Sequence, residues 1–161
     1  MHDSSFKDSQ RPANSSSRFP VLTSKDLAGN VVALPAGLPG ERTVVLVAFL
    51  REQQKDIDGW VAGLNLKAGA IPWLEVPVIN NPGFIGQWFI DNGMRRGIEN
   101  HDTWKHVVTL YTRKAQFKSA IGVTSESTIY AMVVDRNGNI LESIAGPYTA
   151  QGAAAIKGAL Q

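Results

Sequence analysis

Three stretches of this 161-residue chain hold side chains that can do chemistry. The first is the polar run Arg51-Glu52-Gln53-Gln54-Lys55-Asp56, with Asp58 close behind, directly after the apolar segment TVVLVAFL (43–50). A loop at the carboxyl end of a central strand is the usual ligand position in an open α/β sheet. There Glu52 offers a general base and Arg51 an anion contact. The structural alternative is helix capping, with Gln54 or Asp56 as N-cap and Asp58 set favourably against the helix dipole.

The second stretch is basic. Arg95, Arg96, Lys105, Arg113, Lys114 and Lys118 are opposed only by Glu99 and Asp102, a local charge of +4 in a chain of net +2. Trp104 and Tyr111 lie among them, and Trp88 lies just ahead. Such a patch suits an acidic partner or phosphate groups; the alternative is a solvated face. Nucleic acid is disfavoured because no recognition motif accompanies the charge. The third stretch holds His101 and His106. A spacing of five puts them roughly 140° apart on a helix, against the three or four that paired metal ligands need. No metal or cofactor is expected.

Composition removes whole classes of chemistry. The chain has no cysteine, so disulfides, thiolate metal sites and thiol redox catalysis are excluded. It has no Gly-rich phosphate loop, nucleophile elbow or H-E-x-x-H pair. No apolar run approaches the roughly 20 residues of a membrane-spanning helix.

The elements that must position these groups are legible from periodicity. Residues 1–18, with six serines and no apolar pattern, read as a flexible arm or tether ahead of a domain at 19–161. Phe19–Leu22 and Val31–Leu34 predict a small hairpin. TVVLVAFL, apolar throughout, predicts a strand buried on both faces. Ile57, Trp60, Val61 and Leu64 mark an amphipathic helix, with Gly59 and Gly63 permitting close packing on the sheet. Trp73–Ile79 is a strand whose Pro77 points to an edge or a bulge. Asn81-Pro82 starts a helix with an aromatic stripe at Phe84, Trp88 and Phe89. Then come a strand at 106–112, a helix at 113–121 stopped by Gly122, and a strand at 128–135. An Asn137-Gly138 turn, a partner strand and a last helix capped by Thr149 complete the chain.

This order is the thioredoxin layout: a three-layer α/β sandwich, a central mixed sheet with helices on both faces, and an N-terminal hairpin. FPVLTSKDLAGNVVALP (19–35) before TVVLVAFL resembles the start of the thioredoxin-like peroxidase and thiol-oxidoreductase superfamily. IGVTSESTIYAMVVDRNGNILESIAGP (121–147) resembles its closing half. The resemblance implies a reactive cysteine after the first core strand and a cis-proline before the third. Here those places read Arg51–Asp56 and Ser125-Glu126-Ser127-Thr128-Ile129, so both working parts are gone. The chain is also similar to the mitochondrial ATP synthase assembly-factor family, through the first motif, Trp60, FIDNGMRRGI (89–98) and the closing Ala-Gly-Pro. That resemblance implies assembly or chaperone-like work without catalysis.

The expected function is therefore a non-catalytic binding module. Its partner is another protein, met by Arg95, Arg96, Trp88, Trp104, Lys105, Arg113 and Lys114. Two alternatives stand beside it: an enzyme of unknown type using the polar 51–58 loop, and a structural domain tethered in an exported or periplasmic setting by the Ser-rich arm.

Overall fold

The computed structural model describes residues 17–80, 90–96 and 101–161. The first element is a hairpin of β1 (Leu22–Lys25) and β2 (Val31–Leu34), paired antiparallel from Leu22↔Leu34 to Lys25↔Val31. The first strand thus starts where the sequence reading ends it. Phe19 is instead a buried core residue, its ring edge-on to Phe117 at 5.5 Å. The turn is closed by Asp26, whose carboxylate accepts from the Asn30 backbone N–H at 2.9 Å and from the Asn30 amide.

A five-stranded sheet in the order β5-β4-β3-β6-β7 forms the centre. Its strands are β3 (Arg42–Ala48), β4 (Trp73–Ile79), β5 (Leu110–Tyr111), β6 (Tyr130–Asp135) and β7 (Ile140–Ala145). β3 pairs parallel with β4 and antiparallel with β6, so the all-apolar strand lies in the middle. A strand there has no solvent face, which is why six of its seven residues are buried.

Pro77 is not at an edge. It lies opposite Ala48 with strands on both sides of β4. Its missing donor falls on the β5 side. There the ladder consists of a bridge at Glu75↔Val107, an interruption at Thr109, and the short pairing Val78↔Leu110 and Ile79↔Tyr111. The strand predicted over 106–112 is thereby reduced to two residues.

Alternation along the strands sorts side chains into two cores. One face carries Val45, Val47, Val76, Met132 and Val134, covered by the hairpin side (Leu34, Leu38) and by α4 (Lys114–Ile121) through Phe117 and Ile121. The other carries Val44, Leu46, Trp73, Ala131 and Val133. It is covered by α1 (Gln54–Gly63) through Ile57, Trp60 and Val61, and by α5 (Ala150–Leu160) through Ala153 and Ile156. Between β4 and β5 lie a helical stretch at 90–96, here α2, and the single turn α3 (His101–Trp104). The helix start at Asn81-Pro82, the stripe of Phe84 and Phe89, and Trp88 lie outside the described residues.

Local rules account for the ends. Gly122 caps α4 in the left-handed region at φ 78°, and the Thr149 hydroxyl accepts from the Gly152 N–H at 2.9 Å. Gly63 serves a different surface from the one expected. A Cβ there would strike the ring of Tyr148, which lies edge-on to Trp60 at 5.3 Å. The small residues of α1 therefore make room for the loop before α5, not for the sheet. The Trp60 indole donates to the Gly146 carbonyl at 2.9 Å, so a fully buried polar N–H is satisfied.

Candidate functional site

The carboxyl end of β3 is the position at which this architecture ordinarily does chemistry. Here the chain leaves β3 through Phe49 and Leu50 and makes one 3-10 turn at Arg51–Gln53 before α1. Gln53 is buried, at 5% exposure, while Arg51, Glu52, Gln54 and Lys55 are exposed. Its Oε1 accepts from the Phe49 N–H at 2.8 Å and the Leu50 N–H at 3.1 Å. Its Nε2 donates to the Glu126 carbonyl at 2.7 Å. One neutral amide thus joins the loop after β3 to the loop before β6. Neither Gln54 nor Asp56 caps α1; the N-cap position belongs to Gln53, whose side chain makes no cap hydrogen bond. The 3-10 turn supplies the approach to the helix instead, and Gln54 donates to Asp58 at 2.9 Å within it.

Surrounding groups finish the closure. Lys114 donates to the Phe49 carbonyl at 2.9 Å and lies 3.7 Å from Glu126. Lys118 pairs with Glu126 at 2.7 Å, and its ammonium holds that carboxyl below the usual range. The Tyr130 hydroxyl donates to the Ser125 carbonyl at 3.0 Å, and the Lys114 N–H donates to Asn80 at 3.0 Å. Two clefts of about 370 and 480 Å³ lie elsewhere. The first is at the opposite end of the sheet, beside Lys67, Trp73, Asp102 and His106; the second lies between the end of α4 and β7. Neither is lined by a residue of the 51–58 loop.

The basic stretch is divided by the fold. Arg96, Lys105 and Arg113 are exposed. Arg95 is half-buried and donates through Nε to the Leu27 carbonyl at 2.8 Å, tying α2 to the hairpin turn. Tyr111 donates to Asp91 and so ties α2 to β5 as well. Lys114 belongs to the closure just described. Trp104 is half-buried, with His101 stacked on it at 4.2 Å. His106 stacks on Trp73 at 4.4 Å, its Nδ1 3.0 Å from the Trp73 carbonyl. Among the described residues no group of three His, Asp or Glu side chains can hold a metal ion.

Sequence reasoning passed over Glu75. It is the single charged residue of WLEVPVI, lies beside Leu46 in β4, and is only 5% exposed. Burial pushes its carboxyl up to about 7, and the nearby Asp58 charge adds to this. A hydrogen bond with Gln54 and the charge of Lys67 pull the other way. The signal was present, because an acid inside an apolar strand needs a partner. What sequence could not supply was which helix residue would meet it.

No protein-family model and no curated protein matches the chain. Solved structures do. BsSco, a member of the Sco family of cytochrome c oxidase assembly proteins, is 13% identical at a TM-score of 0.58, covering 89% of this chain and 94% of its own. The thioredoxin domain of a thiol-disulfide oxidoreductase from Bacteroides vulgatus is 13% identical at 0.58, covering 91% and 98%. The exposed lipoprotein thioredoxin of Streptococcus pneumoniae is 14% identical at 0.57, covering 88% and 98%. Topology, layering and these neighbours agree: the chain has the thioredoxin-like fold and carries it without a cysteine.

Proposed function

We propose that this protein is a non-catalytic thioredoxin-like module that holds another protein, in an assembly or chaperone-like role. The observation that carries this reading is Gln53. A buried amide, bonded on both its oxygen and its nitrogen, occupies the loop where the superfamily's reactive cysteine is expected. An amide there can neither attack nor transfer electrons, but it fixes the loop's shape.

The proposed partner contact is made by exposed cations, Arg96, Lys105 and Arg113, with the half-buried Trp104 next to Lys105 in the chain. It suits an acidic protein face, where steering by charge raises the rate of encounter. The Sco-family neighbour, named for assembly of cytochrome c oxidase, supports the assembly reading. The pneumococcal exposed lipoprotein supports an envelope setting with a tether through residues 1–18.

A photo-crosslinker placed at Lys105 in the native host is expected to trap one discrete partner. Reversing Arg96 and Arg113 to Glu together should abolish that product while leaving the thermal unfolding midpoint in place. An undiminished crosslink in the reversed variant overturns the basic surface as the contact.

A further inference from the structure

We propose that the open edge of β7 is a docking site for an extended segment of a partner protein. That segment carries an arginine or lysine flanked by apolar residues and pairs beside Leu141–Ala145 as a further strand of the sheet. β7 ends the sheet, with β6 as its one neighbour in the strand order. In an antiparallel ladder about half of an edge strand's N–H and C=O groups point away from the sheet. Among the described residues, the backbone of Leu141–Ala145 makes one hydrogen bond beyond its ladder with β6. It runs from the Ser143 N–H to Oε2 of the adjacent Glu142, at 3.2 Å. The edge's own carboxylate thus occupies a donor that an incoming strand's carbonyl would take.

The start of this edge already holds a contact of the same kind. Arg18 bridges antiparallel to Asn139, and the Phe19 N–H donates to the Gly138 carbonyl at 2.8 Å. The Arg18 guanidinium reaches the Asn139 side chain at 2.9 Å and the Asn137 carbonyl. An extended segment with a cation is therefore seated at the β6–β7 turn. Beyond it, Leu141–Ala145 offer the same kind of backbone for about 17 Å.

The side chains of an incoming strand have a place to go. The cleft of about 480 Å³ between the end of α4 and β7 is lined by Ile121, Val123, Leu141, Ser143 and Ala145. Leu141 is 40% exposed, so it has apolar surface left to cover. Glu142 is the single charged residue of the lining, and it selects a cation in the partner. A second copy of this chain fits less well, because antiparallel pairing of two β7 edges brings two Glu142 carboxylates together. The contact is separate from Arg96, Lys105 and Arg113 and does not depend on them.

The test is a titration of the isotope-labelled full chain, read from its backbone amide shifts. The probes are the capped peptide Thr-Val-Arg-Val-Thr and its counterpart with Glu in place of Arg. The arginine peptide is expected to move the amides of 140–145 and to bind about tenfold more tightly than the glutamate peptide. In Glu142→Lys the order of the two should invert, with the thermal midpoint unchanged. Methylation of alternate backbone nitrogens in the arginine peptide should abolish binding, because a paired strand needs those donors. Equal affinity for the two peptides, an order unchanged in Glu142→Lys, or undiminished binding of the methylated peptide overturns the site. So do shifts confined to the neighbourhood of Arg96 and Lys105. Without peptide, concentration-dependent shifts at 140–145 would assign the edge to a second copy. Nuclear Overhauser contacts from these amides to residues 1–16 would assign it to the chain itself. Either result also overturns the partner.

Discussion

The two ends of the sheet place their polar residues differently: one is closed over by side-chain bonds and the other frames a cleft. At the carboxyl end of β3, Gln53, Lys114, Lys118, Glu126 and Tyr130 are bonded to one another or to backbone, and the loop is closed. At the amino end, Lys67 and Asp102 are exposed around a cleft, and His106 rests on Trp73. The end that this fold ordinarily equips for chemistry is the one whose polar groups are spent on structure. The difference teaches that a run of polar residues after a buried strand measures pairing demand as much as reactivity. Phe49 and Leu50 bring two backbone donors out of the sheet, and something must accept from them.

Four changes break or sharpen the contrast, and Glu75, between the two ends, gives the largest. Its folded carboxyl is raised to about 7, whereas the unfolded chain ionises at the ordinary 4.5. The unfolded state therefore releases its proton first. Stability from this group is complete below about pH 4.5 and is lost as pH rises to 7, by about 3 kcal/mol in all. Chemical denaturation of Glu75→Gln from pH 4 to 8 should lack that loss; an equal decline would show that another group is responsible.

Next is Gln53→Ala at the closed end. It leaves the buried Phe49 N–H without its acceptor and unties the 125–127 loop, so a cost of about 2 kcal/mol is expected in urea unfolding. At the open end, His106→Ala removes one stack and one hydrogen bond from a half-buried site. About 1 kcal/mol is expected, and a loss equal to that of Gln53→Ala would erase the contrast. The smallest effect belongs to Glu126→Gln. Its ion pairs with Lys114 and Lys118 sit at the surface, so the thermal midpoint in moderate salt should shift by less than that of either variant above.

The layers of the fold were legible because burial writes itself into the sequence. TVVLVAFL can only be a strand covered on both sides, and Ile57-Trp60-Val61-Leu64 can only be one helical face. Asn137-Gly138 and Thr149 carried their turn and cap chemistry openly, and both appear, with Gly138 at φ 90°. What was not legible depended on distant partners. Pro77 read as the mark of an edge or a bulge, and the fold placed its missing donor at a break in the neighbouring strand. Gly63 looked like a sheet contact and met Tyr148, 85 positions along the chain. The same holds at the site. Arg51 to Asp56 could be located as the degenerate loop, but that Gln53 alone turns inward follows from Glu126, which no local pattern connects to it. Arg95 and Lys114 read as surface charge until Leu27 and Phe49 supplied carbonyls for them.

The chain's own route onto the domain has a directional consequence. Phe19 donates to the Gly138 carbonyl at 2.8 Å, and the Arg18 guanidinium reaches Asn137 and Asn139, so residue 18 is moored at the β6–β7 turn. That turn lies beside the first residue of β3, since Arg42 pairs with Asp135. Whatever precedes it departs from there, about 20 Å of strand away from Gln53. A molecule fastened to a surface through that departure point would stand with its sealed end outward, presenting Arg51 and Glu52 to whatever passes by.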